Sequence, residues 1–136
     1  GWLMAVGDYV QFMDGSDTLN PLAIEQMYKQ ATKTEAEVVV MGTQRSSRLF
    51  GIKLPYFVPS KFFKQEVATT RELLPTLLGR HGFSHSMVDK LILRSVLKKV
   101  DPSAESNFYG EDLLTMLRIF NNDYKISYID YRSYTD

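Results

Sequence analysis

Two aspartates separated by a glycine and a serine, Asp14-Gly15-Ser16-Asp17, follow the alternating apolar run Tyr9, Val10, Phe12 and Met13. The run reads as a short buried strand, and the Asp-Gly-Ser-Asp segment as the loop leaving its carboxyl end. Ligands of open α/β sheets collect at the carboxyl ends of strands. Two carboxylates beside a glycine at that place suit a hard divalent cation carrying a phosphate. The same residue types also make good turns, and from these residues alone a turn is the favoured reading. A second acidic pair, Glu111-Asp112, opens the last helix of the chain. On residue type alone these acids are ordinary stabilisers of a first turn, where the helix dipole favours negative charge. His81 and His85 would share a face only in a helix, and Gly82 between them argues against one. With no cysteine and no G-x-S-x-G elbow, no histidine-based site is expected.

The elements that must position these acids fit one domain, residues 1–136. An apolar fraction of 44% and an aromatic fraction of 12% are ample for a core. Sixteen basic residues balance sixteen acidic ones, so the chain has no overall charge with which to attract nucleic acid. The absence of cysteine excludes a disulfide scaffold and thiolate metal sites. No apolar run approaches the roughly 20 residues of a membrane-spanning helix, and no signal peptide is recognisable. The chain opens at Gly1-Trp2-Leu3-Met4 in what reads as a helix without a start signal, which points to a segment of a longer protein.

A helix is predicted over Leu19–Thr34. Asn20 caps it, Pro21 takes its first position, and Ile24, Met27, Tyr28 and Ala31 form its inward stripe. Glu37–Gly42 is a second, buried strand, and strand–helix–strand suggests a parallel crossover. The stretch from Gln44 to Pro59 has no clear period. Pro55 and Pro59 argue against a central strand there, and Arg45, Arg48 and Lys53 make it a basic loop. Ser60–Thr69 reads as helical, and so does Thr70–Gly79 around Pro75. Ser86-Met87-Val88-Asp89 has the form of a capping signal before a helix to about Lys98, with Val88, Leu91, Ile92 and Val96 inward. Residues 101–107 read as a loop. After Gly110, the spacing of Leu113, Met116, Leu117 and Phe120 predicts a helix ended by Asn121-Asn122, and Ile126–Ile129 is a closing strand.

The phrase Gly1-Trp2-Leu3-Met4-Ala5-Val6-Gly7-Asp8-Tyr9-Val10-Gln11-Phe12-Met13-Asp14 resembles a segment of the family-2 glycosyltransferases with the GT-A fold. Their pattern there is G-x-x-x-A-x-G-D-Y-[IV]-x-F-[LM]-D followed by a short acidic cluster. The resemblance continues through Thr18-Leu19-Asn20-Pro21 and Glu37-Val38-Val39-Val40, returns in Gly110-Glu111-Asp112-Leu113-Leu114, and fits Tyr131-Arg132 loosely. It implies an α/β chain: a partial, Rossmann-like GT-A fold with a small mixed sheet flanked by helices, lacking the N-terminal nucleotide-binding half. It implies inverting transfer of a sugar from a nucleotide-diphosphate sugar to an acceptor hydroxyl, in cell-surface polysaccharide biosynthesis. Asp14 and Asp17 would hold the donor diphosphate through a divalent metal, Mg or Mn. Asp112, in its Glu111-Asp112 pair, would be the general base.

Three departures from the family pattern bear on that expectation. Ser16 stands where the usual Asp-x-Asp-Asp cluster has its metal ligand, and a hydroxyl is a poorer ligand than a carboxylate. The nucleotide half is missing, so the isolated segment is expected to be inactive. The family often has Asn-Lys-Leu where this chain has Asp89-Lys90-Leu91; Lys90 is a candidate to approach a phosphate or an acceptor, but the favoured expectation is a surface lysine on an amphipathic helix. The alternative is a non-catalytic binding or assembly module derived from a glycosyltransferase. Expected partners are the nucleotide sugar, a carbohydrate acceptor and, because truncation leaves an open sheet edge and an apolar face, a further copy of the chain in a homo-oligomer. The parent enzyme is expected in the cytoplasm, at the inner face of the cell membrane and associated with it peripherally.

Overall fold

The computed structural model describes residues 2–44, 50–52, 56–79, 82–100 and 111–135. Arg45, Arg48, Lys53, Pro55, His81, the 101–107 loop and Gly110 lie outside them. The elements are β1 (Tyr9–Gln11), β2 (Thr18–Leu19), α1 (Ala23–Thr34), β3 (Val38–Gln44), β4 (Ala68–Thr69), α2 (Thr70–Leu77), β5 (Lys90–Leu93), α3 (Arg94–Val100), α4 (Glu111–Phe120) and β6 (Lys125–Thr135). The strands form one mixed sheet in the order β1-β5-β3-β6-β2, with β4 also paired to β6. β3 and β6 are parallel, whereas β5 runs antiparallel to both β1 and β3. β1 and β3 therefore point the same way, as the crossover reading expected, but with β5 inserted between them.

β3 shows why the sheet forms. Val38, Val39, Val40 and Met41 are all fully buried. A strand covered on both faces reads as a continuous apolar run. Its side chains alternate between two cores. Val38 and Val40 join residues of α2, α3 and α4 on one face, and Val39 and Met41 join α1 on the other. The first core is centred on Phe83, whose ring meets those of Phe57, Phe62 and Phe120 at 5.6–5.7 Å between centroids. At Gly42 the ring of Tyr56 lies across the strand. A Cβ there would fall 1.9 Å from the Tyr56 hydroxyl, so only glycine fits without moving the ring.

α1 begins later than predicted, after a turn in which the Asn20 side chain accepts the Leu22 N–H at 3.0 Å. Its inward face is also different. Ala23, Met27 and Ala31 are buried, whereas Ile24 and Tyr28 are exposed. Alanines at i and i+8 around Met27 allow a close approach to the sheet that larger residues would hinder.

Two predicted helices are absent in that form. Over Ser60–Thr69 there is a 3-10 turn, Pro59–Phe62, followed by bends and β4. The Asp130 carboxylate accepts the Ser60 N–H at 3.0 Å, and Phe62 and Phe63 are drawn into the aromatic cluster instead of continuing a helix. Over 86–98, the Ser86–Asp89 segment leads into β5, and only Arg94–Val100 is helical. Ladder pairing on both sides, with β1 and with β3, outweighs the local capping pattern. The helices at Thr70–Leu77, which contains Pro75, and at Glu111–Phe120 lie close to their predicted places.

Candidate functional site

β1 and β2 lie at opposite ends of the strand order, so residues 12–17 cross the sheet edge between them. That edge is at the carboxyl end of β1, and β3 points the same way. Asp14 and Asp17 sit in this crossing loop. It is a turn, closed by the Asp17 N–H on the Asp14 carbonyl at 3.1 Å. Asp14, Gly15 and Ser16 are exposed and Asp17 is half-buried.

The antiparallel register brings the start of β5 to the same edge. Gln11 is opposite Leu91, and the Gln11 side-chain amide donates to the Val88 carbonyl at 2.5 Å and to the Phe12 carbonyl at 2.9 Å. Asp14 lies three residues beyond Gln11, and Met87 four residues before Leu91. The Met87 N–H donates to Asp112 Oδ2 at 3.1 Å. Asp112 is the second residue of α4, which is anchored by the buried Met116, Ile119 and Phe120, and it is half-buried. Thus Asp14 and Asp112, nearly a hundred positions apart, reach the same edge of the sheet. Glu111 opens α4 beside Asp112.

Lys90 is not a surface lysine on a helix. It opens β5 and is fully buried. The reason is a complete set of acceptors: its ammonium donates to Ser84 O and Ser86 O at 2.7 Å each and to Asp89 Oδ1 at 2.6 Å, and it stands 5.4 Å from the centroid of the Phe83 ring. Burial draws its pKa below the ordinary lysine value, while Asp89 and Asp112 act in the opposite sense. Among the described residues, the other oxygen of the buried Asp89, Oδ2, has no hydrogen-bond partner, and neither has Gln11 Oε1. The sequence reading missed this pair. Its trace was an Asp-Lys step inside the apolar run Met87-Val88-Asp89-Lys90-Leu91-Ile92-Leu93.

Other residues of the resemblance have architectural roles. The Asp8 carbonyl accepts the Arg94 N–H at 2.7 Å, and the Tyr9 hydroxyl donates to the Ala36 carbonyl at 3.0 Å. Burial raises the Tyr9 pKa, helped by Tyr28, Asp8 and Glu37. His85 is exposed. Among the described residues, no three histidine, aspartate or glutamate side chains stand together as a ready metal cage.

A mixed sheet between helices is also the fold of part of a solved glycosyltransferase, and in sequence the chain is similar to part of another. It is similar to a cholesterol galactosyltransferase of Borreliella burgdorferi, with 26% identity over 140 residues, covering 97% of this chain and 38% of that protein. Its fold matches the crystal structure of S. aureus TarS residues 1–349 with a TM-score of 0.70 and 23% identity, over 98% of this chain and 37% of that one. The same TarS segment in complex with UDP-GlcNAc matches with a TM-score of 0.67 and 20% identity, over 99% and 36%. The chain thus spans less than two fifths of the length of these relatives. No protein-family model matches it.

Proposed function

We propose that the chain is the acceptor-side part of a transferase that moves a sugar from a nucleoside-diphosphate donor to an acceptor hydroxyl, with inversion, in cell-surface polysaccharide assembly. The observation that carries the reading is the β1–β5 register, which brings the Asp14 loop and Asp112 to one edge. The similarity to a galactosyltransferase and to TarS, crystallised with UDP-GlcNAc and with UDP, supports a nucleotide-sugar donor, UDP-linked by that analogy.

In this reading Asp112 accepts the proton of the acceptor hydroxyl. The acceptor oxygen forms its bond to the anomeric carbon as the bond from that carbon to the diphosphate breaks, and the electron pair leaves with the nucleoside diphosphate. One base suffices because the leaving group needs no proton once its charge is neutralised. This differs from glycoside hydrolysis, where a second carboxyl protonates a poor leaving group. The Met87 N–H orients the Asp112 carboxylate before substrate arrives.

Asp14 and Asp17 would hold a Mg or Mn ion, which supplies the charge that neutralises the leaving diphosphate. Two carboxylates fit such an ion when donor phosphates complete its shell, as is usual for magnesium. Ser16 adds little to that shell. Ser16, in place of the usual acidic ligand, favours as a second reading a non-catalytic binding module.

The test is product analysis of the full-length protein with UDP-sugars and Mg²⁺ or Mn²⁺, before and after Asp14→Ala. The expected result is a product of inverted anomeric configuration, with donor binding and turnover both weakened by the substitution and by chelator. A retained configuration, or turnover indifferent to both treatments, would refute the assignment. Donor binding without any transfer would establish the module reading.

A further inference from the structure

All three protons of the Lys90 ammonium are donated inside the fold, two of them to carbonyls of a segment that is neither helix nor strand. Serine hydroxyls bond the segment locally as well. The Ser86 N–H goes to Ser84 Oγ and the Val88 N–H to Ser86 Oγ, both at 3.3 Å. The N–H between those two, that of Met87, points at Asp112 Oδ2. Lys90 therefore gathers the carbonyls of Ser84 and Ser86 to one side and leaves the Met87 N–H directed at α4. Among the described residues, the charged groups that face Lys90 are Asp89, its neighbour in the chain, and Asp112 from α4.

We propose that Lys90 is a positioning residue for Asp112. It holds the 84–87 segment in the shape that directs the Met87 N–H at the carboxylate and so orients it. This rests on the reading of Asp112 as the base. Lys90 touches neither donor nor acceptor in this account, because its ammonium is closed off by protein acceptors and its side chain is fully buried.

The test uses the full-length protein and the double variant Asp89→Asn/Lys90→Met, which removes both charges and leaves neither buried alone. Rates are normalised to UDP-binding sites, so a partly folded preparation can still be read. The expected result is a kcat lowered about 10- to 100-fold with an unchanged KM for the UDP-sugar, the split expected of a residue that orients the base and touches no substrate. A normalised kcat equal to that of the wild type, or a loss carried by KM instead of kcat, would overturn the proposal. Lys90→Arg serves where the double variant does not fold. It keeps the charge but not the three-acceptor geometry, so a lower kcat with an unchanged KM is expected, and an unchanged kcat overturns the positioning role. Asp112→Asn separates the two claims. Wild-type turnover in that variant removes the base reading and this proposal together, whereas its loss beside an unaffected double variant removes only this proposal.

Discussion

Breaking the Asp89–Lys90 pair from one side should damage the fold far more than removing it whole. Lys90→Met fills most of the lysine's volume but leaves the Ser84 and Ser86 carbonyls and Asp89 Oδ1 without their donor. Asp89 is only 1% exposed, and its Oδ2 already has no partner among the described residues, so the substitution leaves its buried charge without the lysine that balanced it. Removing one member of a buried pair costs about 3–5 kcal/mol. For a domain of this size that lowers the unfolding midpoint by on the order of 10 °C. Asp89→Asn alone is milder, because the amide oxygen can still accept from Lys90 and two carbonyls remain. The double variant should recover the part of the loss that comes from the uncompensated Asp89 charge, while the Ser84 and Ser86 carbonyls stay without their donor. Urea unfolding of the wild type, both single variants and the double variant, followed by circular dichroism, closes the cycle and isolates the coupling. A cost below about 1 kcal/mol for Lys90→Met, the range of an exposed pair, would refute the buried arrangement.

Two further predictions concern the frame that carries the site. The Thr70 hydroxyl donates to the Asn122 carbonyl and accepts the Tyr124 N–H at 3.0 Å, tying α2 to the turn before β6. Thr70→Val orphans that buried N–H and should cost about 1–3 kcal/mol in urea unfolding with an unchanged m-value; a neutral result would contradict the contact. The Glu66 carboxylate is held below its ordinary pKa of 4.5 by hydrogen bonds from Lys33 and then Gln30 of α1, and by the Lys33 charge. Its contribution to stability is present above that value and lost as pH falls through the lowered one. Glu66→Gln should therefore flatten the acid side of the melting-temperature profile between about pH 5 and 3, and an unaltered profile would deny the link.

What could be read from the residues alone followed from how local each signal was. β3 was legible because burial on both faces leaves a continuous run, Val38 to Met41, that needs no partner to recognise. The acids of the Asp14 loop and of α4 were legible from their places at element ends and from the resemblance. α1 was found, but its inward face was misjudged, because Ala23 and Ala31 carry little hydrophobic weight beside Ile24 and Tyr28 and yet pack closer. β5 was hidden. Val88, Leu91, Ile92 and Val96 fit a helical stripe, and what makes Lys90–Leu93 a strand is pairing with β1 and β3, tens of residues away in sequence. The buried Lys90 went unseen for the same reason. A lysine belongs outside unless its acceptors are known, and Phe83, against which it also packs, comes from outside β5.

The claim on which the functional account turns is that Asp112 removes the acceptor proton at the edge where Asp14 serves the donor. Single-turnover transfer by the full-length Asp112→Asn variant, with UDP affinity measured on the same preparation, tests it most directly. The account predicts a transfer rate lowered by about 10²- to 10⁴-fold with the Kd for UDP unchanged. Transfer at the wild-type rate, or a loss that follows the loss of UDP affinity, would contradict it.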